Sequence, residues 1–156
     1  MKPSVRIVAA VLAASAIAVP VIGTYEGTVN VGYRDPVGIP TSCTGHTGPE
    51  VVVGKRYSDA ECARQLADDA VKHGLDIAPC LPADLPPKTH AAFISFAFNV
   101  GSAKFCSSTL SRKARAGDLK GACAELSKWT YAGGKQLPGL VNRRKAERQL
   151  CEEGLR

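Results

Sequence analysis

No two of the six cysteines stand in a C-x-x-C spacing, which excludes the common zinc motifs and the thioredoxin-type redox motif. There is no internal repeat. There is no low-complexity tract either. Hydrophobic residues make up 45% of the 156 and charged residues 22%, a balance that excludes a disordered chain. What remains is one ordinary domain, large enough to bury a core.

The cysteines that are present, Cys43, Cys62, Cys80, Cys106, Cys123 and Cys151, are even in number and scattered. They read as three disulfides formed in an oxidising compartment, with six reduced thiols of a cytosolic protein as the other reading. Lys and Arg outnumber Asp and Glu by 20 to 14, giving +6. That charge favours an anionic partner. Nucleic acid, anionic lipid and bacterial wall all qualify, and charge alone does not choose among them.

The N-terminus adds weight to export. Lys2 and Arg6 precede an apolar run from Ile7 to Gly23, the positive-then-apolar order of an export signal. As a helix the run is about 25 Å long, slightly short of a hydrocarbon core of about 30 Å. Six alanines, Ser15, Pro20 and Gly23 weaken it further as a membrane segment. Three readings stand: cleavage after Ala16-Ile17-Ala18, retention as a marginal anchor, or a buried core helix.

From Thr24 to Gly54 the chain is rich in Gly, Thr, Val and Pro and reads as short strands and turns. Ser58-Asp59-Ala60-Glu61 is a capping box that starts a helix to about His73, with Gly74 as its C-cap. Residues 76–87 form a proline-rich connector. Pro87 opens an apolar helix, nearly apolar all round, that Gly101 ends. Ser107 or Ser108 caps a helix to Arg115, and Asp118 starts another ending near Trp129. A loop spans Tyr131 to Leu137, and Pro138 begins the last helix, to about Glu153. A small β-rich lobe followed by a larger helical lobe is an α+β arrangement.

Two carboxylates, Glu26 and Asp35, flank the turn-rich segment. Glycosidic cleavage uses such a pair: one protonated carboxyl gives a proton to the leaving oxygen, one carboxylate activates water or steadies the cation. Thr41 supplies a hydroxyl that can hold the attacking water. Spacing alone leaves all three as ordinary turn and strand residues.

The stretch Glu26-Gly27, Tyr33-Arg34-Asp35, Gly38, Thr41 and Gly45-His46-Thr47 resembles the active-site region of phage-type lysozymes, glycoside hydrolase family 24. Later segments resemble the same family: Ala97-Phe98-Asn99-Val100-Gly101, Ser108-Thr109-Leu110, Trp129 to Gly134, and Pro138 to Arg144. The likeness runs from Ile22 to Gly154. It implies a lysozyme-like fold, with Glu26 as general acid, Asp35 as second carboxylate and Thr41 as the water-placing hydroxyl. It further implies hydrolysis of the β-1,4 bond between N-acetylmuramic acid and N-acetylglucosamine in peptidoglycan, without cofactor or metal. A lytic transglycosylase and a non-enzymatic cationic wall- or membrane-binding protein are the rival readings.

In this family the catalytic Glu follows an apolar helix, which falls here on Val19, Val21, Ile22 and Tyr25. The chain therefore resembles the signal-anchor-release endolysins, with residues 1–23 as a retained release segment and 24–156 as the catalytic domain. The implied course is export by the host secretion machinery, tethering on the periplasmic side of the inner membrane through residues 7–23, then release to the periplasm. With no cysteine before Cys43, refolding of the anchor and not disulfide exchange is the implied trigger. Peptidoglycan and the host inner membrane are the expected partners, with no nucleic acid, for a monomer. The assumed fold pairs Cys43–Cys62, Cys80–Cys106 and Cys123–Cys151. Pro40 lacks an N–H and predicts an edge or bulged strand. His46 is expected to brace its turn, His73 and His90 to be inert. Arg143 and Arg144 are open between contact with glycan carboxylates and a solvated helix face, and other helical-lobe polar residues besides Asn99 read as surface.

Overall fold

The computed structural model describes residues 1–156. A 22-residue helix, α1 (Val5–Glu26), is capped by Ser4, whose hydroxyl accepts from the Ile7 amide. Its buried positions, Val11, Ala14, Ser15, Ala18 and Ile22, fall three or four apart on one stripe. Most are small, so the helix approaches its neighbours closely. In this structure one face of the apolar run packs into the core, and the helix runs without a break past residue 23. Thr24, Tyr25 and Glu26, read as the start of the β-rich stretch, belong to its last turn.

The chain then forms a three-stranded antiparallel sheet in the order β1 (Val29–Arg34), β2 (Pro40–Cys43), β3 (His46–Thr47). The strand carrying Pro40 is central, not at an edge. Pro40 is tolerated because it is the first residue of the strand, paired with Arg34. The expected irregularity lies opposite it, in β1, between Val29 and Tyr33.

α2 (Asp59–Ile77) starts with the complete capping box: Ser58 Oγ accepts from the Glu61 amide and Glu61 accepts from the Ser58 amide. It does not stop at Gly74. That residue sits inside the helix, where a Cβ would lie 2.6 Å from Val11 Cγ1 and 3.1 Å from Ile94 Cδ1. Gly74 is the point where α1, α2 and the central helix α3 (Pro87–Val100) meet. α4 (Ser102–Cys106), absent from the sequence reading, follows directly. α5 (Thr109–Arg115) is capped by Ser108, α6 (Leu119–Glu125) by Asp118. The 131–137 loop is a small hairpin, β4 (Tyr131–Ala132) and β5 (Lys135–Gln136), turning on Gly133-Gly134 with positive φ at both. α7 (Pro138–Glu153) closes the chain. One core contains Ala14, Ala18 and Ile22 of α1, Phe93, Ile94 and Phe96 of α3, Phe105, Leu110 and Leu126. The fold class is α+β, as read.

All three cysteine pairs are those expected: Cys43–Cys62 joins β2 to α2, Cys80–Cys106 joins the 3₁₀ turn after α2 (Ala78–Cys80) to α4, and Cys123–Cys151 joins α6 to α7. They close loops of 19, 26 and 28 residues, each worth about 3 kcal/mol in the loop-entropy account.

His90 on α3 shares a small apolar hollow with Ile7 and Ala10 of α1 and with Leu81. Its Nε2 is buried without a partner, and burial pushes its pKa down to about 4. A base that binds its proton more weakly when folded contributes most above its unfolded pKa of about 6.5. The contribution drains away as pH falls toward 4. We expect His90→Phe to be about 2.5 kcal/mol less pH-sensitive than the parent between pH 7 and 4.5, read by urea unfolding at both.

Candidate active site

Glu26 is the last residue of α1, and Gly27, with φ at 68°, stops the helix there. The carboxylate emerges where α1 hands the chain to β1, with its side chain one-quarter exposed. Arg143 of α7 donates Nη1–H to Glu26 Oε1 at 2.5 Å and leaves Oε2 open. The Arg143 guanidinium also lies 5.8 Å from the Tyr25 ring, and Tyr25 Oη donates to the Asn142 carbonyl.

Asp35 occupies the turn between β1 and β2. Its Oδ1 accepts the Val37 and Ile39 amides at 2.9 and 2.8 Å, an Asx-type arrangement that fixes the turn and leaves Oδ2 open. The Gly38 amide donates to the Asp35 carbonyl, and Arg34 Nη1 to the Gly38 carbonyl. Thr41, buried in β2, donates its hydroxyl to the Ile39 carbonyl at 2.9 Å and keeps its oxygen as an acceptor. Asp35 and Thr41 are thus tied to the two ends of one residue, Ile39, so the hairpin positions them as a unit. Glu26 lies at the end of α1, three residues before β1 begins.

Behind Glu26 lies a buried polar assembly. Arg143, Arg144 and Glu147 are 3%, 1% and 0% exposed. Glu147 Oε1 accepts from Arg143 Nε at 3.0 Å and from Ser95 Oγ at 2.7 Å. Glu147 Oε2 accepts from Arg144 Nη1, and Arg144 Nη2 donates to Asn99 Oδ1. Arg143 Nη2 donates to the Ser95 carbonyl and Arg144 Nε to the Trp129 carbonyl. Burial pulls the Arg144 pKa down, and the Glu147 charge beside it works the other way.

A protein-family model described as phage lysozyme matches residues 23–147. The chain belongs to the phage lysozyme family. Among curated relatives, the SAR-endolysin of Enterobacteria phage PA-2 is 42% identical over 160 residues, covering 97% of each chain. Among solved structures, P22 lysozyme matches with a TM-score of 0.78 at 26% identity, covering 88% of this chain and 96% of that one. The active form of the P1 phage endolysin Lyz matches at 0.76 and 28% identity, covering 89% and 84%. The secreted inactive form of the same endolysin matches at only 0.53, covering 70% and 78%. The lysozyme described here, with α1 packed in its core, is nearer the active form. It is a glycoside hydrolase with a lysozyme-like fold.

The sequence offers Glu26, Asp35 and Thr41 as candidate site residues, and the buried assembly behind Glu26 is not apparent in it. Arg143 and Arg144 form neither a solvated face nor an open glycan contact, because Glu147 and Glu26 pair with them inside. Ser95, Thr89 and Ser111 of the helical lobe are likewise buried and bonded. The available signal was Glu147, four residues after Arg143 and three after Arg144, the spacing of ion pairs on one helix face. His46 does brace the β-lobe. Both its ring nitrogens face carboxylates, Asp69 of α2 at 2.8 Å on Nδ1 and Glu50 on Nε2. Burial lowers its pKa, but those two carboxylates outweigh it and hold the pKa above the ordinary value.

Proposed function

We propose that the lysozyme hydrolyses the β-1,4 bond between N-acetylmuramic acid and N-acetylglucosamine in peptidoglycan, and that it lyses the host cell at the end of phage infection. The observation that carries this is the disposition of Glu26: a partly exposed carboxyl with one oxygen held by a buried arginine, at the helix end that leads into the hairpin carrying Asp35 and Thr41. Glu26 is the proton donor. Its proton passes to the glycosidic oxygen as the C1–O bond breaks. A water attacks C1 from the other face of the sugar, gives its proton to Asp35, and is oriented by the Thr41 hydroxyl. The +6 charge favours the anionic wall.

In the same proposal α1 has two homes. Residues 7–23 first hold the exported chain on the periplasmic side of the inner membrane. The chain then leaves the lipid, packs α1 into the core and becomes soluble in the periplasm as a monomer. The helix is long and apolar enough to cross a bilayer, with a mean hydropathy of 2.3 over its most apolar window.

Product analysis separates hydrolysis from its rival. Digested peptidoglycan is expected to yield reducing ends in proportion to bonds cut. Anhydro-sugar ends in their place would mean transglycosylation and would remove the water-placing roles given to Asp35 and Thr41.

A further inference from the structure

We propose that Glu147 is a positioning residue for the hydrolysis: it holds the Arg143 fork against Glu26 and balances that cation's charge, so that Glu26 can carry the proton it donates. This rests on the reading of Glu26 as proton donor.

The charged groups that meet here are Arg143, Arg144 and Glu147 from α7 and Glu26 from α1. α3 adds only the neutral Ser95, Asn99 and Phe96, the last under the Arg144 guanidinium at 4.9 Å. Without Glu147, two buried cations would face one carboxylate. With it, two positive and two negative charges balance. A guanidinium is a rigid planar fork, so fixing two of its nitrogens aims the third. Glu147 takes Nε of Arg143 at 3.0 Å and the Ser95 carbonyl takes Nη2 at 3.1 Å, which points Nη1 at Glu26. Glu147 is in turn fixed by Ser95 Oγ at 2.7 Å and by Arg144. Glu147 has no exposed surface, so it touches no substrate and acts through the arginines it pairs with.

The chemical problem this solves is specific to a general acid. An arginine in contact with a carboxyl favours its ionised form, and a proton donor must be protonated. A counter-charge on the far side of the arginine weakens that pull while keeping the contact.

The test is the pH dependence of kcat/KM for the full chain on a soluble peptidoglycan fragment. In Glu147→Gln the hydrogen-bond acceptor for Arg143 Nε is kept and the charge is lost. The basic limb of the profile is expected to move about one pH unit lower, cutting the rate at pH 7 about tenfold. Glu147→Asp restores the charge and returns the limb to its parental position. A basic limb that stays in place in a folded Glu147→Gln, or an Asp variant that fails to restore it, overturns the proposal, since a purely structural role lowers the whole profile without moving it. Should the Gln variant not fold, Ser95→Ala tests the positioning half. A kcat reduced threefold or more at constant KM supports it, and an unchanged kcat overturns it. Glu26→Gln run alongside separates the two readings: if it stays active the proton-donor assignment has failed, and if it is inactive while the Glu147 limb stays put only the present inference has failed.

Discussion

Glu26→Gln is expected to lower hydrolysis of purified peptidoglycan by about 10²–10⁴-fold, the range that a general acid contributes. The amide keeps the shape of the carboxyl and can still accept from Arg143, so the site's geometry is retained and only the transferable proton is lost. One cost to stability follows. Arg143, with a side chain 4% exposed, loses half of its counter-charge. Because Glu26 is one-quarter exposed and Gln preserves the hydrogen bond, that cost is discounted to about 1 kcal/mol, a drop of a few degrees in Tm. A variant that is folded, binds wall and does not cut it is the expected result. A cationic binder that lyses through its charge would lose nothing by the change, so retained wall clearing would remove the enzymatic assignment of Glu26.

Gly74→Leu is expected to act at a distance from the chemistry and still stop lysis. A Cβ at this position meets Val11 Cγ1 at 2.6 Å and Ile94 Cδ1 at 3.1 Å, and Leu adds three further carbons. α1 must then stand off from α2 and α3, at about 1–3 kcal/mol for an overpacked core. In a soluble protein that is a loss of stability. In a chain whose α1 can also reside in lipid it shifts a partition, by about 5- to 150-fold toward the membrane. The measurement is the share of protein in the membrane fraction after collapse of the membrane potential, alongside the parent. Equal release of the two proteins would contradict the two-home account of α1. It would leave the hydrolytic reading untouched.

What could be read in the sequence was whatever is decided locally. The capping box at Ser58–Glu61, the helix-opening Pro87 and Pro138, and the stop at Gly101 depend on a few neighbouring residues, and each lies where its local chemistry puts it. Glu26, Asp35 and Thr41 are nominated by resemblance alone, since their spacing is unremarkable. The misreadings are tertiary. Gly74 looks like a helix end because glycine usually marks one, and only the closeness of Val11 and Ile94 shows why the helix continues past it. Arg143 and Arg144 look like surface because arginine usually is, and only their partners on three elements make burial tolerable. β4 and β5, two residues each, are too short to carry a periodic pattern.

The two sides of α1 answer to different masters. Its inward stripe, Val11, Ala14, Ser15, Ala18 and Ile22, is committed to the enzyme. Leu12, Ala13, Ala16 and Pro20 are exposed on the outward side. On the anchor reading, the outward side alone can drift toward greater or lesser greasiness without any change in turnover. It is a clock setting: substitutions there would advance or delay the moment of lysis, while the blade stays equally sharp.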